Sequence, residues 1–510
     1  MKKLIKVISA ILSVLILFGC VQVGAFASSE DCTPTIYVIG IASYDVTDKD
    51  GNSVFPLGAD DLKASLKKAL KDTASSALTL DVTSLVDVFV SIAYSVFSPA
   101  ACDNNGNPVV ESGVVWDYPA ITKDNHSGVY RFIYDWRLDP VEVAAQFSDF
   151  VNYVCENSGH DKVDVTAFSL GSCIFNAYYE FYSNNCEHIR NVTYLSPACN
   201  GVGIAADVFN GELGFDSKAL AKYIDYYFLY VMGKSYADVF FDTLSELGVL
   251  DILTVPLNVF KDKAKHSAYY DVILPIFATM PCMWAMLPAE YYESAKDIFF
   301  GENNEEYKGL IEKLDRYHYA VQLKNDERLK ALYESDEHSV AVIAKYNLAN
   351  MPLTDGWQSM SDGIVDTKHS SFGATCCEQN STLPSDYVQS ITGCSHNHIS
   401  PDRMVDASTC VIPEATWFVR DLHHSDSNSG LDRLVEYVQK TSKQVSIWDD
   451  EKYPQFLKSE DGDIVLLTDE NSENQNVGVY EKYSFLHVLL SKIRAYILAF
   501  LNTYFGTDFT

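Results

Sequence analysis

The sequence predicts an α/β protein, with a mostly parallel sheet flanked by helices and interrupted by one helical insertion. Strand-like and helix-like segments alternate between residues 128 and 200, and a further apolar strand-like run follows at 340–346. Apolar residues make up 47% of the 510 residues, enough to bury a large core. Because strands separated by helices form βαβ units, the sheet is expected to be parallel.

The individual elements follow from hydrophobic periodicity. Short apolar runs predict strands at 35–40, 128–134, 163–168, 192–195 and 340–346, and helical spacing predicts helices at 140–157 and 174–182. Aromatic-rich helical patterns fill the insertion. The expected organisation is a signal peptide at 1–27, a core in two parts at 28–204 and 341–425, a helical insertion at 205–340, an acidic loop-rich extension at 426–482 and a C-terminal amphipathic helix at 483–510.

The first residues read as a targeting segment. Three lysines lie within the first six residues, an apolar run covers 7–18, and Ala25-Phe-Ala27 has the small-x-small pattern of a cleavage site. We therefore expect cleavage after Ala27 and a secreted or cell-surface protein. The alternative is a lipoprotein signal with lipid attached at Cys20, although the bulky Phe18 fits that motif poorly.

Charge and cysteine content limit the function classes. The net charge of −31, with no cluster of Lys or Arg, disfavours nucleic acid as a partner and disfavours adhesion to anionic lipid by charge alone. Twelve cysteines are present, and outside the cell some of them could pair, but the sequence leaves their pairing open.

The peptide from Thr166 to Ser172 is the most informative one. It follows a predicted strand, opens a predicted helix and places Ser169 between Ala167 and Gly171. Small residues two positions either side of a serine are typical of a nucleophile elbow, in which a tight strand-to-helix turn presents the hydroxyl in a strained conformation. Ser169 is therefore predicted to be a nucleophile, although the −2 position is more often Gly.

A serine nucleophile needs a base and an acid, which in enzymes with such an elbow follow in the order serine, acid, histidine. Asp362 is the preferred acid, because it precedes a turn glycine, and Asp366 is the second choice. Residues 394–401 supply two candidate bases, of which His398 is preferred to His396. We expect His423 and His424, which come after the amphipathic segment 415–422, to lie at the surface.

The same loop has a rival interpretation as a zinc site. His396 and His398 could combine with Cys394 and the adjacent pair Cys376 and Cys377. These residues follow no familiar ligand spacing, so a zinc site is not expected in this loop.

The peptide Tyr134-Asp-Trp-Arg-Leu-Asp-Pro140, followed by the elbow, closely resembles the lecithin–cholesterol acyltransferase-like branch of the α/β-hydrolases and related bacterial secreted lipases. Looser similarities exist at 38–41, 281–288, 362–365 and 406–418. The Asp-Trp-Arg residues themselves are expected either to brace the acyl site or to form a buried structural pair with a packed indole.

This resemblance implies a protein with an α/β-hydrolase fold and a helical lid, which acts on lipid esters through Ser169, His398 and Asp362 without a metal or an organic cofactor. The backbone amides of Leu170 and Ile41 would stabilise the oxyanion. The expected partner is a lipid or other ester substrate. The apolar stripe of the C-terminal helix is expected to pack against the domain, and transient contact of this stripe with a lipid surface is the alternative. The alternatives are a lipid acyltransferase, an esterase on non-lipid acyl groups, and an inactive surface protein.

Overall fold

A computed structural model describes most of the chain, namely residues 33–55, 94, 97–113, 121, 128–184, 186–212, 268–301, 304–350, 355–379, 381–391, 395–440 and 443–472. Several predictions lie outside these residues: the signal peptide at 1–27 with Cys20, residues 213–267 of the helical insertion, and the amphipathic helix at 483–510.

Eight strands form the central sheet, in the order β14-β13-β12-β7-β6-β5-β1-β4. Every neighbouring pair is parallel except β13 with β14. The described strands, numbered along the chain, are β1 Thr35–Val38, β2 Val46–Thr47, β3 Ser53–Phe55, β4 Val129–Phe132, β5 Val163–Phe168, β6 Ile189–Leu195, β7 Ser339–Tyr346, β8 Leu348–Ala349, β9 Met360–Ser361, β10 Thr375–Cys376, β11 Val405–Asp406, β12 Thr416–Arg420, β13 Phe456–Glu460 and β14 Asp463–Leu466.

Helices connect and flank these strands. They are α1 Pro140–Ser158, α2 Gly171–Phe181, α3 Gly203–Phe209, α4 Pro281–Ala285, α5 Tyr292–Phe300, α6 Lys308–Ala320, α7 Asn325–Tyr333, α8 Thr367–Ser370 and α9 Ser429–Gln439, with a π-helical segment at Ala268–Phe277. The termini of α1 follow from sequence. Asp139 accepts a hydrogen bond from the Val141 amide, Pro140 occupies the first turn, and Gly159 ends the helix in a left-handed conformation.

The core lies around β5, β6 and β7, in which nearly every residue is buried. Helices α1 and α2 pack on each other and on β5, whereas α7 and α9 pack on β7. Near-continuous burial is expected of parallel strands covered on both faces, and it explains why these strands read as unbroken apolar runs rather than as alternating ones.

The predicted strands at 35–40, 128–134, 163–168, 192–195 and 340–346 correspond to β1, β4, β5, β6 and β7, and the two predicted helices correspond to α1 and α2. Two segments differ from expectation. Residues 415–422, interpreted as an amphipathic segment, contain the fully buried strand β12. The extension at 426–482, expected to be loop-rich, contains α9 and the strands β13 and β14, which continue the central sheet.

The parallel arrangement brings the carboxyl ends of several strands to one edge of the sheet. Gly40 follows β1, Ser169 follows β5 and Ser196 follows β6. The short pair β8–β9 lies directly after β7 and leads to Asp362, and His424 comes four residues after β12. We call this set of strand ends the carboxyl edge, where open α/β sheets commonly bind their ligands.

Candidate active site

Ser169 lies on a tight turn between β5 and α2 and has a φ of 52°, a conformation that residues other than glycine rarely adopt. Its amide donates to the Leu195 carbonyl at 3.2 Å, and its own carbonyl accepts from Ala198 at 3.2 Å. A Cβ added at Gly171 would lie 2.3 Å from the Val38 carbonyl oxygen. The turn is therefore held by the neighbouring strands and requires glycine two positions after the serine.

The loop after β1 forms one wall beside this serine. A Cβ added at Gly40 would lie only 2.8 Å from the Ser169 Cβ, so the two backbones approach each other closely. Ile41 is the next residue in that loop. Leu170 is the N-cap residue of α2, at the end of the helix where the backbone N–H groups have no carbonyl partner within the helix. Of the two residues predicted to supply oxyanion donors, Leu170 directly follows Ser169 and Ile41 directly follows Gly40 in the chain.

The imidazole beside Ser169 is that of His424. Its Nε2 lies 2.9 Å from Ser169 Oγ, and its Nδ1 lies 2.7 Å from Asp362 Oδ2. An ionised carboxylate only accepts hydrogen bonds, so Nδ1 carries the proton. Nε2 then has a free lone pair, which accepts the hydrogen bond from the Ser169 hydroxyl. Serine, histidine and aspartate are connected in the geometry of a catalytic triad.

Asp362 is fixed by its own turn. Its Oδ1 accepts from the amides of Val365 at 2.7 Å and Ile364 at 3.1 Å, which leaves Oδ2 for His424. Complete burial opposes the charged form, but the His424 imidazole, the Val365 amide and the nearby Lys345 together hold the pKa of Asp362 below its ordinary value. The carboxylate is therefore charged at neutral pH.

His424 is also attached to Asp362 through the backbone, because its amide donates to the Asp362 carbonyl at 2.8 Å. The Phe168 ring lies against the imidazole, with 5.0 Å between ring centroids. Next to it, the His423 ring fills the space over Gly363, where a Cβ would lie 2.5 Å from His423 Cδ2. The ring of His424 is thus positioned by its backbone, its carboxylate partner and an aromatic neighbour.

The prediction that His398 lies beside Ser169 is wrong. His398 is buried, but its Nδ1 lies 2.9 Å from Gln455 Oε1. Its segment is attached to β11 through a bridge between Ile399 and Asp406, and not to the carboxyl edge. His396, the second choice, is exposed and stacks on Trp448 with ring centroids 4.0 Å apart.

The expectation that His423 and His424 lie at the surface is also wrong, because both are buried. The reason is β12, whose five residues are all buried and which runs parallel to β7. The signal was present in the sequence: Thr416-Trp-Phe-Val-Arg420 is rich in β-branched and aromatic residues, as strands are.

Asp366, the second choice for the acid, has a different set of partners. Its Oδ2 accepts from the Gly203 amide at 2.6 Å, and Asn350 Nδ2 lies 3.5 Å from Oδ1. Asp366 therefore connects α3 to the segment after β9, and the structure brings Asp362 rather than Asp366 to His424.

The Asp-Trp-Arg peptide forms a buried ion pair. Arg137 donates to Asp135 through Nε at 2.9 Å and Nη2 at 2.7 Å, and Nη2 also reaches the Val110 carbonyl at 2.9 Å. The Trp136 indole is buried and packs edge-on against Phe55. These contacts match the expectation of a structural pair with a packed indole.

The three residues are buried, since Ser169 is 3%, His424 4% and Asp362 0% exposed. Within the described part of the chain, no group of three or more His, Cys, Asp or Glu side chains is arranged to hold a metal ion. Cys394, one member of the rival zinc set, lies outside the described residues.

The described residues include no helix that is both long and apolar enough to cross a bilayer. Nine cysteines are described, and all of them are free thiols. No protein-family model matches the chain, and neither a curated protein nor a solved structure matches it.

Proposed function

We propose that this chain is a secreted or cell-surface serine hydrolase with an α/β-hydrolase fold, which cleaves carboxylic esters of lipids through an acyl-enzyme. The observation that carries the proposal is the position of the His424 ring, 2.9 Å from Ser169 Oγ on one side and 2.7 Å from Asp362 Oδ2 on the other. Nucleophile, base and acid also occur in the chain order serine, aspartate, histidine.

The strand connections support the proposed fold. The elbow serine follows β5, which lies between β1 and β6 in the sheet, and the histidine follows the later strand β12. Helices α3 to α7 come between β6 and β7 in the chain, where a cap over the carboxyl edge would be inserted. Lid function for this insertion is part of the proposal.

The first half of the reaction forms the acyl-enzyme. His424 Nε2 takes the proton of Ser169 Oγ as the oxygen attacks the ester carbonyl carbon. The carbonyl oxygen becomes an oxyanion, for which the amides of Leu170 and Ile41 are the proposed donors. When the tetrahedral intermediate collapses, the C–O bond to the alcohol breaks and His424 gives its proton to the leaving oxygen. Asp362 stabilises the imidazolium throughout.

The second half regenerates the serine. Water takes the place of the alcohol and attacks the acyl carbon while His424 Nε2 accepts one of its protons. Collapse of this second intermediate releases the carboxylic acid and returns the proton to Ser169 Oγ. If an alcohol attacks instead of water, the same steps produce a new ester, which is the acyltransferase alternative. The preference for lipid esters depends on the family resemblance of residues 134–140.

A fluorophosphonate probe tests the nucleophile directly, because it phosphonylates an activated serine. We expect stoichiometric labelling of the purified protein, lost in Ser169→Ala and retained in Ser196→Ala. Ser196 is a matched control, since it is also buried, follows the adjacent strand and has a φ of 42°. Labelling that survives in Ser169→Ala, or no labelling of the wild type in the presence of detergent, would contradict the proposal.

A series of nitrophenyl esters from acetyl to long acyl chains tests the substrate class. Hydrolysis that increases with chain length supports lipid esters, whereas activity on acetyl esters alone would replace them with non-lipid acyl groups. N-terminal sequencing of the protein from the culture medium tests secretion. The expected first residue is Ser28, whereas a lipid-modified Cys20 would indicate the anchored form.

A further inference from the structure

Lys345 is a charged residue within the most buried strand of the sheet. It lies one residue before the end of β7, and all eight residues of that strand are buried. Burying an ammonium group without partners is strongly unfavourable. The Lys345 Nζ has three partners, and all of them are backbone carbonyl oxygens: His423 at 3.0 Å, His424 at 2.9 Å and Asp426 at 2.8 Å.

These carbonyls belong to the turn that carries the proposed base. The turn, residues 423–426, is closed by a hydrogen bond from the Asp426 amide to the His423 carbonyl at 3.1 Å. Its carbonyl groups converge on one ammonium, which uses all three of its N–H donors on them. His424 is thereby held at both ends of its backbone, with its amide on the Asp362 carbonyl and its carbonyl on Lys345.

The ammonium also interacts with three carboxylates. Asp362 faces it from the turn after β9, Asp426 from the 423–426 turn and Asp432 from α9. The His423 and His424 rings belong to the same turn, and the ring of His423 is within electrostatic range. The thioether side chain of methionine, which lacks the terminal nitrogen, would fill most of the space but would leave three buried carbonyl oxygens without their donor, which is unfavourable.

We propose that Lys345 is a positioning residue, which sets the place of the His424 ring between Asp362 and Ser169 by holding the three carbonyls of the 423–426 turn. This inference rests on the proposed function, since a position for His424 matters only if His424 acts as the base. The Lys345 ammonium donates to carbonyl oxygens of the 423–426 turn, whereas Ser169 Oγ is hydrogen-bonded to His424.

The hydrogen bonds that Lys345 donates depend on its protonation state, so activity is expected to depend on pH. Burial lowers the pKa of Lys345 to about 8, although the charges of Asp362, Asp426 and Asp432 oppose that shift. Below this pH the ammonium supplies three N–H donors. Above it the neutral amine has two, so one of the three carbonyls loses its partner. Activity is therefore expected to fall as the pH rises through about 8.

The first test compares Lys345→Met with Lys458→Met in the full secreted chain. Lys458 is a matched control, because it is a strand lysine on β13 whose ammonium donates to the Asn471 carbonyl at 3.2 Å, away from the 423–426 turn. We measure the second-order rate of phosphonylation of Ser169 at pH 7, together with the melting temperature. Displacement of a reacting group by about 1 Å costs on the order of 100-fold in rate. We expect that loss in Lys345→Met, and a change within about threefold in Lys458→Met.

The second test is the pH dependence of the same rate in the wild type and in Lys345→Arg, which keeps its charge through pH 10. We expect an alkaline decline near pH 8 in the wild type and its absence in the arginine variant. If the wild-type protein is never labelled at Ser169, the proposed function is contradicted. If it labels, a folded Lys345→Met variant that reacts at the wild-type rate would overturn only the role of Lys345. If Lys345→Met does not fold, a wild-type rate that stays constant from pH 7 to 10 would overturn that role.

Discussion

Two loops of this protein each carry a buried histidine, and only one of these histidines lies against the elbow serine. His424 lies on a turn at the carboxyl edge and is within 2.9 Å of Ser169 Oγ. His398 lies on a segment attached to β11, and its Nδ1 is 2.9 Å from Gln455 Oε1. Both rings are buried and hydrogen-bonded, so neither burial nor hydrogen bonding distinguishes the proposed base from the other histidine. The two histidines differ in the strand that precedes each loop.

That strand is β12, which pairs in parallel with β7 and so ends at the same edge as β5. Four residues further along, His424 can fold over the edge onto the elbow. Among the described residues between β7 and His398, the strands and helices are short, and none of these strands belongs to the central sheet. The comparison shows that sheet topology, more than local sequence, determines which histidine lies beside Ser169.

The largest expected effect comes from exchanging the two histidines separately for glutamine. His424→Gln removes the proposed base, and phosphonylation and ester hydrolysis are expected to fall by about 10⁴-fold or more, as is typical of triad residues. His398→Gln keeps a hydrogen-bonding side chain next to Gln455, and its rate is expected to stay within about threefold of the wild type. The reverse ranking, measured at equal melting temperatures, would refute the comparison.

The acid provides the next largest effect. Asp362→Asn keeps the size of the side chain but lets the amide donate to His424 Nδ1, which selects the wrong tautomer and is expected to reduce kcat by about 10⁴-fold. Asp366→Asn is the control, because Asp366 Oδ2 accepts from the Gly203 amide and does not contact His424. Its effect should appear in the melting temperature. A loss of kcat in Asp366→Asn as large as in Asp362→Asn would mean that the acid is assigned to the wrong turn.

A smaller effect is expected from a substitution at Gly40, in the loop after β1 that lies beside Ser169. In Gly40→Ala the new methyl would lie 2.8 Å from Ser169 Cβ, so one of the two backbones must shift. We expect a loss of about 10- to 100-fold in the phosphonylation rate, because small displacements of a nucleophile are costly. Gly128→Ala is the matched control, since its nearest contact would be an ordinary 3.5 Å to Tyr130. Equal rates in the two variants would show that the loop after β1 is not a wall of the site.

The sequence was sufficient to predict the elements whose signals are local. Strands β5, β6 and β7 are covered on both faces, so their apolar runs identify them, and Asp139 and Pro140 identify the start of α1. The small residues two positions before and after Ser169 identify it as a candidate nucleophile. The turn glycine after Asp362 identifies it as a candidate acid, and both side chains are hydrogen-bonded to His424.

The elements that were missed depend on tertiary context. β12 is five residues long, too short for periodicity to separate a strand from a helical segment. β13 has the sequence Phe-Leu-Lys-Ser-Glu, and its polar half resembles a loop, because burial decreases along the strand from Phe456 to Glu460. The composition of residues 416–420 favours a strand, but only the pairing of β12 with β7 shows that His424 lies at the carboxyl edge. Chain order alone does not distinguish His424 from His398, because both follow Asp362.

The smallest expected effect concerns His423, the neighbour of His424 in the same turn. Burial lowers the pKa of His423 to about 4, against an ordinary value of 6.5. The folded state therefore holds this ring neutral, and the unfolded state binds a proton first as the pH falls through 6.5. The stability that this contributes is complete above pH 6.5 and is lost progressively down to pH 4. Between pH 7.5 and pH 5 the loss amounts to about 2 kcal/mol.

His423→Gln removes this titration while keeping a side chain of similar reach over Gly363. Urea unfolding at pH 7.5 and pH 5 should therefore show a free energy of unfolding that falls by about 2 kcal/mol more in the wild type than in the variant. His398→Gln, measured in the same way, indicates how much of any difference is general to buried histidines. If wild type and His423→Gln lose the same free energy of unfolding over this range, His423 is already protonated or solvated in the fold. The 423–426 turn would then be more open than the contacts of His424 and Lys345 imply.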